Sequence, residues 1–387
     1  MTTANLFSAF DARIMARAFK LAEQGIYSTT PNPHVGCVIV DLNQQIIGEG
    51  FHKKAGTPHA EVHALNQAGV LAKGATAYVT LEPCAHTNRT GPCALALVRA
   101  GVAEVVIACV DPNPEVAGKG IAILEQAGIK VRVGLMQQIG DALNAHFFFR
   151  MQHNRPFVTV KLAASIDGRT ALADGQSKWI TGPLARHDVQ GHRAKACAIL
   201  TGADTVIADN PHMNVRADEL PSSMAEKFAW REQQPLRVVT DSQNRLVAKQ
   251  FQMFNDLQPC LVYNLAPNEA LINADKQNAY VKQQQIPAKI VHDTGAAKLD
   301  LQLLMRDLAQ KQINHVWVEA GAALTGALFD NKLVDELIVY QAPMLLGNTA
   351  RPLTDYTSPT ALNDALKGHV TEVKKLGLDT KTRIRFA

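Results

Sequence analysis

The chain has 387 residues, 47% hydrophobic and 19% charged, enough for two domains that each bury a core. Its formal charge of +4 is the small difference between 39 basic and 35 acidic residues, which leaves no electrostatic footprint for a polyanion and argues against a nucleic-acid partner. Its start has no leader pattern and no window of about eighteen apolar residues occurs, so a soluble cytoplasmic protein without a membrane partner is expected.

Residues 11–25 place Ile14, Ala18, Leu21 and Ala22 at helical spacing, with Asp11 as the expected cap and Gly25 as the stop. Residues 28–33 hold two prolines and read as a loop. Strands are expected over 35–40 and 46–50, with a turn at Asn43-Gln44 between them. A helix over 59–68, a strand led by Gly74 through Leu81, a helix over 94–100, a strand over 105–108, a helix over 120–127 and a strand over 131–133 complete the half. That alternation predicts a mixed α/β layer fold with crossover helices.

Chemistry concentrates in Pro58-His59-Ala60-Glu61, answered by Pro83-Cys84 and Cys93. One imidazole and two thiolates are the donor set of a catalytic zinc site, whose open fourth position takes a water with its pKa lowered from ~16 to about 7. Glu61 stands two residues from His59 and points to another side of the helix, as a general acid/base beside that water would. His63 follows His59 by the four residues of a paired ligand, but a fourth protein ligand would displace the water, so it is set aside. The usual deaminase signature has two residues between its cysteines, whereas eight intervene here. Cys37, Cys109, Cys197 and Cys260 lie in or beside apolar runs and read as small buried hydrophobes. Six cysteines in a chain this long do not make a disulfide framework.

Phe147-Phe148-Phe149-Arg150 ends the first half and reads as a surface for domain docking rather than a membrane wedge. The boundary is placed at residue 153, giving domains 1–153 and 154–387. Beyond it come strands at 157–162, 198–200, 237–240, 260–263 and 289–291, helices at 183–193 and 299–311, and polar connections over 218–234 and 264–285. A strand over 315–319 runs into Gly321-Ala322-Ala323-Leu324-Thr325-Gly326-Ala327 and a helix to Phe329. The glycines are spaced as in a phosphate loop, yet Ala327 and Leu328 replace the required Lys and Ser/Thr, so phosphoryl transfer is excluded. A cofactor loop and a tight helix start both remain open.

Longer motifs carry a resemblance. Pro31 to Val38, Gly48-Glu49-Gly50-Phe51-His52, His59 to Leu65 and Glu82-Pro83-Cys84 through Cys93 resemble the deaminase half of the bifunctional riboflavin-biosynthesis family, which has the long gap between cysteines. Lys161 to Arg169, Trp179 to Pro183, Thr205 to Pro211 and Glu319-Ala320-Gly321 resemble its reductase half. The resemblance implies a cytidine-deaminase-like three-layer domain followed by a dihydrofolate-reductase-like α/β domain. It implies a small phosphorylated pyrimidine, 2,5-diamino-6-hydroxy-4-(5-phosphoribosylamino)pyrimidine, deaminated with Zn2+ before NADPH reduces its ribosyl group to ribityl.

By the same resemblance Asn32 and His52 contact the pyrimidine, and His86 and Arg89 the phosphate. Ala163, Trp179, Thr205, Asp209, Ser242 and residues 321–327 would line NADPH, while Ser177, Arg193, Met213, Arg216 and Glu319 face the reductase substrate. Gly91 stands where proline is usual, and Met213 where leucine is usual. A homo-oligomer is expected. Two competing readings are a nucleic-acid base deaminase with an appended binding domain, which would need a basic aromatic surface, and a noncatalytic zinc-stabilised module.

Overall fold

The computed structural model describes residues 7–85, 91–114, 116–271, 280–290 and 297–386, apart from the Lys249 side chain. His86 and Arg89 lie outside the described residues. The chain forms two compact units, Met1–Asn154 with Glu226–Glu232 and Arg155–Ala225 with Gln233–Ala387.

In the first unit, helix α1 (Ala9–Ala22) begins at Ser8 rather than at Asp11. The Asp11 N–H donates to the Ser8 hydroxyl at 3.1 Å and the Ser8 N–H returns to the Asp11 carboxylate at 2.7 Å, a reciprocal cap. A single tighter turn over Glu23–Gly25 follows. Strands β1 (Gly36–Val40), β2 (Ile46–Phe51), β3 (Thr76–Val79), β4 (Glu104–Ile107) and β5 (Lys130–Val133) form one sheet in the order β2-β1-β3-β4-β5. β1 runs antiparallel to β2 and β3, and β3, β4 and β5 are mutually parallel.

Successive residues of a strand face opposite ways, and here both faces are apolar. Cys37 and Ile39 pack with Ala60, Ala64, Leu97 and Leu124, from helices α2 (Ala60–Ala68), α3 (Cys93–Ala100) and α4 (Lys119–Gln126). Val38 and Val40 pack with Ile14, Ala18 and Phe19 of α1. The sheet is therefore the middle of three layers. Gly48 and Gly50 let α2 lie directly on β2, since a Cβ there would stand 2.2 Å from the Ala64 carbonyl oxygen and 2.4 Å from that of Ala60. Helices α5 (Gln137–Leu143) and α6 (Ala145–His153) close the unit. Phe147 is buried and Phe148 packs into the α1 side of the core, so part of the phenylalanine run belongs to this unit's own interior.

The second unit is built on a larger sheet. Strands β6 (Phe157–Ser165), β7 (Arg169–Ala171), β8 (Ala198–Gly202), β9 (Leu236–Thr240), β10 (Cys260–Asn264), β11 (Val281–Gln285), β12 (Ala288–Ile290), β13 (Ala297–Leu299), β14 (His315–Val318), β15 (Glu336–Ala342), β16 (Arg351–Pro352), β17 (Gly368–Leu376) and β18 (Asp379–Phe386) lie between helices α7 (Pro183–Lys195), α8 (Ala203–Asp209), α9 (Ser222–Phe228), α10 (Leu301–Gln310) and α11 (Ala322–Asp330). Nine strands order as β11-β10-β9-β8-β14-β6-β15-β18-β17, all parallel as far as β15 and antiparallel beyond it. Ala198, Leu200, Val316 and Val318 pack on α10 and α11, while Ile199, Val239 and Trp317 pack on α7 and α8.

Several expectations change. Among the described residues the strand expected at 289–291 pairs only with β13, in a separate ribbon, and Val291 lies outside those residues. The polar connection over 264–285 ends in β11, an edge strand whose buried side chain is Val281. The connection over 218–234 contains α9, and its residues 226–232 join the first unit, where Trp230 stacks on Phe51 at 5.8 Å. β15 and β17 have no counterpart in the sequence reading.

Asp11 ties three elements of the first unit together. Its carboxylate takes the Tyr78 hydroxyl at 2.6 Å and the Arg132 guanidinium at 2.9 and 3.2 Å. Burial pushes its carboxyl up, but hydrogen bonds from Arg132, Tyr78 and Ser8 outweigh that and hold it well below the usual carboxylate range. A depressed folded-state value means the stabilisation is complete above about pH 4, the unfolded value, and is lost as pH falls below it. Asp11→Asn is expected to cost about 3 kcal/mol at neutral pH, and urea unfolding should show the gap to wild type narrowing toward about pH 3.

Candidate active site

Two helix starts meet beside the end of β3. His59 is the residue before α2, with extended backbone, and Cys93 is the first residue of α3. The His59 Nδ1 stands 3.6 Å from the Cys84 Sγ and 3.3 Å from the Cys93 Sγ. All three donor atoms lie within 4.8 Å of one another. An ion with tetrahedral bonds of ~2.3 Å to sulfur and ~2.0 Å to nitrogen sets its N···S edges near 3.5 Å, so the donor set and its spacing fit zinc.

The Cys93 N–H points at the Cys84 Sγ at 3.3 Å, and the Ala94 N–H donates to the Cys84 carbonyl at 3.2 Å. The Cys93 N–H, at the start of α3, favours a thiolate at Cys84. Hydrogen bonding from Cys93 and His59 brings the Cys84 thiol down against the effect of burial, while Cys84 and burial push Cys93 up. Glu61 is buried and lies against Cys93. Burial, with the Cys84 charge, pushes its carboxyl up to about 7 against the pull of His59. His63 is outside the three-donor cluster, and its Nε2 is buried with no hydrogen-bond partner among the described residues.

Asn32 and His52 come together beside this cluster. The Asn32 Nδ2 is 3.1 Å from the His52 Nε2, and the His52 ring meets His59 edge-on at 5.0 Å between centroids. The loop that carries Asn32 is held by Asn144, whose side chain pairs with the His34 backbone at 2.8 and 3.0 Å. Burial, with the nearby His59, pushes the His52 imidazole down to about 4, so it is neutral at physiological pH. Cys37, Cys109, Cys197 and Cys260 are buried free thiols, as their apolar settings predict.

In the second unit the cofactor candidates gather at one edge. Strands β9, β8, β14 and β6 are adjacent and parallel, so their C-terminal ends lie side by side. Ser242 follows β9, Thr205 is in the first turn of α8 after β8, residues 321–327 follow β14, and Ala163 is near the end of β6. That edge is where parallel sheets bind nucleotides. The residue before α11, Gly321, brings no side-chain cap, and a Cβ added to it would meet nothing within 4 Å. Open space before uncapped amides fits a phosphate group of NADPH. Asp209 closes α8 and is 3.6 Å from the Lys178 ammonium; the neighbouring Trp179 is 68% exposed, with the Arg186 guanidinium 4.5 Å over its ring.

Glu319 and Arg193 hold each other. The Arg193 guanidinium donates to both carboxylate oxygens at 2.6 and 2.8 Å and to the Asn214 carbonyl at 2.8 Å, beside buried Met213. Burial works against the Glu319 charge, but Arg193, Lys161 and the Trp317 indole outweigh it and bring the carboxyl down to about 2. Arg216 pairs instead with Glu219 at the surface, while its N–H donates to Gln190 of α7 at 3.0 Å. The Ser177 carbonyl accepts from the Ile180 N–H in the turn that carries Trp179. Sequence reasoning missed Trp317, which donates to Glu319 at 2.7 Å. The two lie two residues apart, and that spacing on one strand face was the available signal.

These features define a zinc-site deaminase joined to a nucleotide-dependent α/β enzyme. The family model for the cytidine and deoxycytidylate deaminase zinc-binding region matches residues 8–109, and that for the RibD C-terminal domain matches residues 156–381. The chain is 49% identical over 377 residues to the riboflavin biosynthesis protein RibD of Haemophilus influenzae, covering 97% of both chains. It is 44% identical to the solved Acinetobacter baumannii RibD, with a TM-score of 0.87 over 98% of this chain and 99% of that one. It is 30% identical to a Thermotoga maritima structure described as a diaminohydroxyphosphoribosylaminopyrimidine deaminase/5-amino-6-(5-phosphoribosylamino)uracil reductase, with a TM-score of 0.81 over 98% and 99%.

The chain belongs to the RibD family of riboflavin biosynthesis proteins. It is a bifunctional enzyme, a zinc-dependent deaminase with a cytidine-deaminase-like fold followed by an NADPH-dependent reductase with a dihydrofolate-reductase-like fold. Elemental analysis of purified His63→Ala protein should find the wild-type zinc content, whereas Cys84→Ala and Cys93→Ala should each lose the metal.

Proposed function

We propose that His59, Cys84 and Cys93 hold the zinc, with Glu61 as the general acid/base of deamination and Asn32 and His52 orienting the pyrimidine ring. The observation that carries this reading is the meeting of a three-donor cluster, a buried carboxylic acid and the Asn32–His52 pair within one small region. Bound zinc lowers the pKa of water and so supplies a nucleophile at neutral pH. Glu61 takes the proton released as water attacks the aminated carbon and delivers it to the departing amino group, which leaves as ammonia. A neutral His52 beside Asn32 offers hydrogen bonds to the ring without adding charge.

The substrate in this reading is 2,5-diamino-6-hydroxy-4-(5-phosphoribosylamino)pyrimidine, with His86 and Arg89 reaching its phosphate. The deaminase domain is residues 1–153 and the reductase domain residues 154–387. In the latter, Ala163, Trp179, Thr205, Asp209, Ser242 and residues 321–327 line NADPH. Ser177, Arg193, Met213, Arg216 and Glu319 face the ribosyl substrate; hydride transfer to the ribosyl carbon depends on how these two sets align donor and acceptor.

Among the described residues no helix is long and apolar enough to cross a membrane, which accords with a cytoplasmic site of action. Assembly into a homo-oligomer is part of the proposal and draws support from the edge strand β17, where Val370 and Val373 are 60% and 66% exposed; a monomeric mass in equilibrium sedimentation would remove it. Glu61→Gln is expected to lower ammonia release by about 100- to 10,000-fold. The same variant should keep its zinc and should still oxidise NADPH when given the deaminated substrate. Unchanged ammonia release would refute the proton-transfer role.

A further inference from the structure

We infer that Glu82, two residues before Cys84, is a positioning residue that fixes the Cys84 sulfur for zinc. The inference rests on the reading of Cys84 as a ligand and adds to it the device that holds the ligand still. Glu82 is 3% exposed. Its Oε2 accepts the N–H groups of Asp111 and Gly118 at 3.2 and 3.0 Å. Its Oε1 accepts those of Gly120 and Ile121 at 2.9 and 3.3 Å. The last two amides open α4, whose positive end favours the carboxylate charge.

Residues 82–84 are thus clamped from two sides. Glu82 is held by the approach to α4 and its first turn, and its own N–H donates to the Cys109 carbonyl at 2.9 Å. The Cys84 carbonyl and sulfur are held by the amides of Ala94 and Cys93 at the start of α3. Pro83 between them has a fixed φ and no N–H to bond elsewhere. Its carbonyl oxygen packs on Gly120, where an added Cβ would stand 2.0 Å away, so α4 cannot carry any larger residue at this contact. The Cys84 sulfur has little freedom left once the Glu82 end is fixed.

The chemistry of the clamp is specific to a carboxylate. Two oxygens with about four acceptor sites match four amide donors, whereas the glutamine amide has one accepting oxygen and would turn its NH2 group toward two of those donors. Two buried N–H groups would then lack partners, and the loop would open to rehydrate them.

The test uses full-length, zinc-loaded protein. Glu82→Gln is expected to release zinc to a chromophoric chelator about 10- to 100-fold faster than wild type. The sulfur-to-metal absorption of its cobalt-substituted form should weaken, and deaminase kcat should fall while NADPH oxidation by the reductase stays unchanged. Glu82→Asp, which keeps both acceptors, should fall between the two. A Glu82→Gln protein with normal reductase activity, wild-type zinc release and a wild-type cobalt spectrum would overturn the proposal. If that variant does not accumulate, amide exchange in the wild-type protein decides: stripping zinc should lower protection at Gly118 and Gly120 by about tenfold, and unaltered protection would overturn it. A wild-type protein that takes up no zinc would overturn the ligand reading itself, and this proposal with it.

Discussion

The first unit depends on the meeting of two helix starts at the end of a strand. His59 precedes α2 and Cys93 opens α3, so the imidazole and one sulfur stand at helix starts, where the local field is positive. The Cys93 N–H at the α3 start points at the Cys84 sulfur and favours its thiolate, which is the form a metal needs. The arrangement is possible because α2 lies flat on β2, and it does so only because Gly48 and Gly50 present no side chain to it. The alanines of α2 that face the sheet, Ala60, Ala64 and Ala68, are small for the same reason. Close packing and metal chemistry are therefore one constraint: a wider gap between α2 and β2 would carry His59 away from the two sulfurs.

The second unit solves a different problem, holding a charge in its interior. Taking Glu319 and Arg193 out of water costs several kcal/mol per ion, and their attraction offsets this only with good geometry. Here the guanidinium reaches both carboxylate oxygens and the Trp317 indole adds a third donor. A pair of this kind is poor evidence for stability alone, since apolar residues of similar volume would do as well. Its position beside the glycine-led start of α11, at the edge where four parallel strands end, gives it a reason to be ionic.

Local sequence carried much of this. β1 is buried on both faces, so its continuous apolar run was unmistakable, and α10 repeats Leu301, Leu304, Met305 and Leu308 on one side. The cap of α1 was misread because Ser8 and Asp11 can each cap a helix, and the structure uses both in one reciprocal pair. His63 was set aside because a fourth protein ligand would displace the water, and the structure keeps it outside the three-donor cluster. His59 has extended backbone, the residue before α2 rather than part of its first turn as the sequence suggested. β17 escaped because nearly all its side chains are exposed, and a strand that buries no apolar face leaves no alternation to read.

The donor types, the His-x-Glu element and the glycine-led turns were fixed by the chain itself, because metal affinity, proton transfer and close backbone approach each demand particular side chains wherever they occur. The order of the strands, the pairing of Glu319 with Arg193 and the hold of the α4 approach on Glu82 were decided only by folding. Each joins groups far apart along the chain, and no local pattern records which distant partner a buried charge or an unpaired amide will find.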